Sequence, residues 1–163
     1  LLKLASASVF GDPDKLFEGK RFLPPAALDA TLKQIRVSHL LLLVPHRGAT
    51  NIRAVESGLG NGMLEGLGFY IDRDTTMRQQ ETGERRVGYL APYVYFKIAL
   101  INLATAEVER QHVVAKAVAM NSSRAGAASD PWEAMTTVQK VGTLRDMLQE
   151  EIQAGMPALI AKP

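Results

Sequence analysis

A chain of 163 residues with 47% apolar and 22% charged side chains is long enough to bury one core and too apolar to stay disordered. Nineteen basic against seventeen acidic side chains leave a formal charge of +2, so electrostatics alone gives no reason to expect nucleic acid as a partner. The chain has no cysteine, which excludes a disulfide framework, a thiol nucleophile and any cysteine-ligated zinc or iron–sulfur centre.

The chain starts at Leu1 and reads as a processed or trimmed product. Residues 1–10 carry the pattern of a short strand, and Gly11-Asp12-Pro13-Asp14 has turn chemistry. After Pro24 and Pro25, the spacing of Leu28, Thr31, Leu32 and Ile35 predicts an amphipathic helix over Ala26–Arg36. Ser38–Val44 follows as a continuous apolar run, expected to be a strand buried on both faces and stopped by Pro45. Its core, Leu40–Val44, is the longest apolar run and is far too short to span a bilayer.

Residues 45–62 read as a glycine-punctuated loop. Met63–Asp72 reads as a strand in which Gly66 and Gly68 mark a bulge or a close backbone approach. Arg73–Arg86 is polar and reads as an exposed connection turning at Thr82-Gly83. The clearest unit is a hairpin over Tyr93–Met120. Val94, Phe96, Ile98 and Leu100 form one apolar face of its first strand, Asn102–Ala106 reverses the chain, and Glu107–Met120 returns. Setting Leu100 opposite Val108 puts Phe96 opposite His112 and Val94 opposite Val114.

Asn121–Ser129 reads as a linker of small polar residues. In Asp130-Pro131-Trp132-Glu133, Asp130 is a capping residue and Pro131 suits a first helical position. The predicted helix carries the stripe Met135, Val138, Val141, Leu144, Leu148 and Ile152 and ends near Ala154, where Gly155 and Pro157 follow. Taken together, these elements predict a single domain spanning residues 1–163. Its fold class is α/β in the α+β sense: a mixed, largely antiparallel sheet with a long hairpin, flanked by two main helices.

No catalytic set emerges. Gly58-Leu59-Gly60-Asn61-Gly62 fits neither a dinucleotide nor a Walker frame and leads into a strand where a phosphate loop would lead into a helix. Ser57 lacks the upstream glycine of a nucleophile elbow. His39, His46 and His112 have no partner at metal-ligand spacing, so no metal and no cofactor is expected. Residues 45–86 hold six arginines and no lysine, a composition suited to carboxylate or phosphate recognition, although six carboxylates share the stretch. The candidate ligand- or partner-binding residues are His46, Arg47, Arg53, Arg78, Arg85 and Arg86. Tyr89, Tyr93 and Tyr95 beside Phe96 suit a sheet face packed beneath a helix; an uncovered face would suit base stacking.

The run Tyr95–Val108, YFKIALINLATAEV, resembles a hairpin of bacterial envelope domains of the TolB N-terminal, CsgG and LpoB type, with Asn102 and Ala106 where those domains prefer Asp and Gly. The helix and apolar strand of Ala26–Val44 resemble elements that precede it there. The resemblance covers less than half the chain and implies a mixed sheet flanked by helices. It also implies a periplasmic or cell-envelope location, with any membrane tether outside the chain, and an assembly role without catalysis. The sequence reading is therefore a non-enzymatic domain that binds a protein partner or forms a homo-oligomer, with loops 45–62 and 73–86 as its contact surfaces. The alternative is a cytoplasmic or other small-molecule or anion-binding enzyme domain using the Gly/Arg-rich loop 45–62.

Overall fold

A computed structural model describes residues 13–34, 37–54, 57–78, 83, 85–121 and 130–161. The expected strand in 1–10, the turn at Gly11 and Asp12, Ile35 and Arg36 of the first helix, and the linker after Asn121 lie outside the described residues. The fold is α+β, a mixed and largely antiparallel sheet with two helices, as the sequence implies.

A single turn of 3-10 helix at Pro13–Leu16 leads to the short strands β1 (Phe17–Glu18) and β2 (Arg21–Phe22) and then to helix α1 (Ala26–Gln34). The remaining strands are β3 (His39–Pro45), β4 (Arg47–Ala49), β5 (Ile52–Ala54), β6 (Ser57–Leu59), β7 (Met63–Arg78), β8 (Arg85–Asn102), β9 (Glu107–Val118) and β10 (Met120–Asn121). Helix α2 spans Thr137–Ile160. The main path of the sheet is β1-β2-β9-β8-β7-β4; β3 and β10 also pair with β8, and β5 pairs with β6 and, in parallel, with β9. The chain divides into two compact units, one of residues 1–44, 97–112 and 155–163, the other of residues 45–96 and 113–154.

In the first unit, Leu28 and Leu32 of α1 close on Leu16, Phe22, Leu42, Val44, Ala99 and Ile101. The fully buried residues of β8 here are Ile98, Ala99 and Ile101, while Leu100 is half-buried. The face opposite the predicted apolar one, which carries Lys97, Ala99 and Ile101, is thus a core face as well. Lys97 fits there because its stem lies along apolar surface and its ammonium sits 4.2 Å from the Phe17 ring centroid. The chain reverses at Leu103–Ala106, where the Asn102 side chain accepts from the Ala104 N–H and Ala106 takes a left-handed φ of 55°.

The last helix does not stop at Gly155 and Pro157 but runs through both. Gly155 is what lets it approach, since a Cβ there would stand 2.6 Å from the His112 ring. Leu159 is buried, and the Arg110 guanidinium donates to the carbonyls of Leu159 and Ala161, which satisfies acceptors that a helix end leaves orphaned.

In the second unit, β7 and β8 form a long antiparallel pair, so residues 73–78 and 85–86 extend two strands where an exposed connection is expected; Thr82 of the expected turn lies outside the described residues. Asp72 shapes its bulge: the carboxylate accepts from the N–H groups of Asp74 and Thr75 and from the Thr75 hydroxyl. Residues 47–49, 52–54 and 57–59 also form strands, β4 to β6, where a loop is expected, while Gly60 and Gly62 behave as turn residues with φ of 87° and 92°. Further along, Met120 stands opposite Leu90. The register with Leu100 opposite Val108 would place Val118 there, so by β10, beyond the break at Ala119, the pairing stands two residues off that register.

Asp130 caps as expected, its side chain accepting from the Trp132 N–H, but the turn it caps is a 3-10 turn, Pro131–Ala134, which an extended Met135 interrupts. The α2 cap is Thr136, whose hydroxyl accepts from Gln139 N–H while the Gln139 side chain accepts from the Thr136 N–H and hydroxyl, a capping box. Starting there, α2 buries Lys140 and Met147 and leaves Val138 and Val141 82% and 53% exposed, a rotation from the predicted stripe. Lys140 fits a buried position because its ammonium sits 3.5 Å from the Trp132 ring centroid, and Trp132 in turn meets Phe69 edge to face.

Candidate interaction surface

The candidate residues of the Gly/Arg-rich stretch all belong to the second unit but fall at two ends of its long hairpin. His46 is half-buried and donates its backbone N–H to the Tyr95 carbonyl; Arg47 is exposed in β4, opposite Glu65. Arg53 stands opposite Gly58 in β6 and Val118 in β9. Arg78 stands opposite Arg85, and Met77 opposite Arg86, beyond the bulge. Ten residues separate Arg85 from Tyr95 along β8, about 33 Å at strand rise, so the arginines at the hairpin end and the His46–Arg47 pair are not brought together.

A cluster of tyrosines lies between them. All four tyrosines of the chain, Tyr70, Tyr89, Tyr93 and Tyr95, occupy one face of β7–β8, and the cross-strand partners of Tyr95 and Tyr93 are Gly66 and Gly68. A Cβ on Gly68 would lie 2.7 Å from the Tyr93 hydroxyl, so the close approach expected there is made by an aromatic ring, whereas Gly66 has nothing within reach of a Cβ and takes a φ of 72°. The phenols tie down the segment above them: Tyr95 donates to the Ala49 carbonyl and accepts from the Asn51 N–H, and Tyr70 accepts from the Asn61 N–H. Ile52 and Leu64 complete this core with Ala91 and Ala117. Residues 49–52 and Asn61 therefore lie against the aromatic face, and stacking of bases against the fully buried Tyr95 is sterically closed.

Tyr89 is fully buried, and its hydroxyl has no hydrogen-bond partner among the described residues. Burial, then the nearby Asp72 carboxylate and Tyr70, push its phenol up to about 12. The folded state therefore holds a proton that the unfolded chain releases near 10, so this contribution is complete below pH 10 and is lost as the pH rises from about 10 to about 12. Tyr89→Phe removes an unsatisfied buried donor and is expected to raise stability by about 1 kcal/mol in chemical denaturation at pH 7. The same substitution is expected to flatten the decline between pH 10 and 12; a loss of stability at pH 7 would mean that the hydroxyl has a partner.

In the first unit, the sequence offered no local partner for His39, and the partner is remote. The His39 Nε2 lies 3.2 Å from Glu109, Asn102 donates to the same carboxylate, and the Ser38 hydroxyl lies 2.9 Å from His39 Nδ1. Asn102, with smaller contributions from His39 and Arg110, holds the Glu109 carboxyl below its ordinary range. This order of groups matches a serine relay, but His39 and Glu109 are each about two-fifths exposed. Exposure to that degree weakens the electrostatic stabilisation that acyl transfer draws from a water-excluded site. The arrangement is a surface tether at the start of β3.

Strand β3 itself differs from expectation. Leu42 and Val44 are buried, but Leu41 and Leu43 are 36% and 40% exposed, so one face is core and the other is open. Among the described residues β3 also pairs only with β8 and forms an edge. The Ser38 carbonyl accepts from Leu103 and the His46 N–H donates to Tyr95, so the two strands run antiparallel and the even-numbered residues of β3 bond to β8. The main-chain groups of His39, Leu41 and Leu43 then face away from β8. No charged residue interrupts Leu40–Pro45, and the residue in this run that ordinarily protects an edge is Pro45, at its very end.

No family model matches the chain, and comparisons with curated proteins and with solved structures find no match either.

Proposed function

We propose that the chain is a non-catalytic interaction domain of the bacterial cell envelope that binds a protein partner or a further copy of itself, with β3 as its contact strand. The observation that carries this reading is the open edge of β3, where exposed Leu41 and Leu43 accompany outward main-chain donors and acceptors. An extended segment is the partner that satisfies both, since main-chain hydrogen bonds supply affinity and side chains on alternate positions supply specificity. The contact is drawn here and not on 45–62, because the backbone of that segment is engaged by tyrosine phenols. The envelope setting rests on the resemblance of Tyr95–Val108 to TolB-type hairpins. No helix among the described residues is long and apolar enough to cross a membrane, which leaves the compartment to be established by cell fractionation.

The test is a photo-crosslinking amino acid at position 43 in the native cell, with position 33 on α1 as control, where Lys33 is exposed and pairs within its own helix with Asp29. Light-dependent adducts at 43 and none at 33 are expected. No adduct at 43 would contradict the proposed function.

A further inference from the structure

We infer that the occupant of the β3 edge is a second copy of β3, paired antiparallel about a two-fold axis at Leu42; this inference rests on the interaction reading above and names its partner. The first argument is the hydrogen-bonding parity. Only odd-numbered residues face outward, so an isologous pairing must set odd against odd, and a two-fold at Leu42 sets Leu41 against Leu43 and His39 against Pro45. Leu41 and Leu43 then exchange N–H and C=O groups across the axis, and the His39 N–H reaches the carbonyl of Pro45. The donor that Pro45 lacks is called for only at the last rung, where its loss leaves a carbonyl and no buried amide unpaired.

The second argument is the sequence of the strand. Leu40-Leu41-Leu42-Leu43-Val44 has the same character read in either direction, so reversal sets Leu40 against Val44 and Leu42 against itself on the core face. On the open face it sets Leu41 against Leu43, removing from water the side chains that the monomer leaves exposed. A partner chosen for charge complementarity would need a charge to read, and the run from Leu40 to Pro45 carries none. A single strand edge is a small contact, below the 1,200 Å² or so at which stable interfaces begin, so the dimer should be weak and concentration-dependent.

The experiment is sedimentation velocity on the purified full chain from about 1 µM to about 300 µM, a range that brackets a micromolar dissociation constant. The apparent mass should rise toward twice that of the chain. Leu41→Lys and Leu43→Lys, both at exposed positions, should hold it at one chain throughout with an unchanged circular dichroism spectrum, while Val138→Lys should dimerise as the parent does. Because the chain has no cysteine, register can be read directly: Leu41→Cys mixed with Leu43→Cys should form a mixed disulfide in preference to either variant alone. A chain that stays monomeric at 300 µM, or a Leu41→Lys variant that dimerises normally, would overturn the inference. A monomeric chain that nevertheless forms photo-adducts at position 43 with a different protein overturns self-pairing and leaves the interaction reading standing.

Discussion

Gly88→Ala is expected to lower stability by about 3 kcal/mol or more and the thermal midpoint by about 6–12 °C. Two independent conflicts meet at this position. Gly88 has a φ of 78°, a conformation that costs an L side chain about 1–2 kcal/mol. A Cβ there would also stand 2.7 Å from the Asp72 carbonyl oxygen and 2.8 Å from Pro131, with the Arg73 backbone close behind. The first of these is main chain of the bulge and cannot swing aside, so β7 would have to shift together with the turn that Asp130 caps. Gly142→Ala is the contrasting control: it lies within α2 with nothing in reach of its Cβ, and it should raise stability by about 1 kcal/mol. Thermal and urea unfolding of the two variants checks both signs.

The second large effect is expected at Tyr95, which is fully buried and bonds to the backbone on both sides of Thr50. Tyr95→Ala should cost about 3–5 kcal/mol through lost ring contacts and the cavity left behind. Tyr95→Phe keeps the ring and strands the Ala49 carbonyl and Asn51 N–H, a loss of about 1–3 kcal/mol. Limited trypsin digestion separates the two contributions. If the hydroxyl holds segment 45–62 in place, Tyr95→Phe will be cut faster at Arg47 and Arg53 than the parent, even under conditions where both are folded. Equal cutting rates would mean that ring packing alone anchors the segment.

The parts of this fold that were legible in the sequence are those set by local chemistry. The spacing of Leu28 and Leu32 defines α1, the glycines at 60 and 62 take the turn conformations their chemistry allows, and Asp130 caps. Distance in sequence explains what was missed. The apolar run of β3 looks like an interior strand because composition cannot report whether a second layer covers its outer face; Leu41 and Leu43 are partly exposed on that face. Pro157 reads as a helix terminator, yet the helix runs past it to bury Leu159, whose carbonyl accepts from Arg110. Val138 and Val141 read as core, yet the face that α2 buries is set by Lys140 meeting Trp132, a pairing no periodicity reports.

The candidate site shows the same division. The arginines of 45–86 were legible as a composition, but strand pairing distributes them to separate ends of the hairpin. The tether of His39 to Glu109 spans seventy residues of sequence and gave no local signal. The tyrosine clamp did leave a trace, since Gly66 and Gly68 alternate in one strand as Tyr93 and Tyr95 do in the other. Recognising it required knowing that these two segments pair.

The central proposal is that the outer edge of β3, unpaired among the described residues, is the surface through which the chain makes contact. Residue-resolved amide exchange measured by NMR in dilute solution tests this most directly. Leu42 and Val44 lie on the side that bonds to β8 and should exchange slowly, while the intervening amides of Leu41 and Leu43 should exchange at rates near those of unpaired backbone and slow as the protein is concentrated. Protection of Leu41 and Leu43 equal to that of Leu42 and Val44 at the lowest concentration would contradict the account.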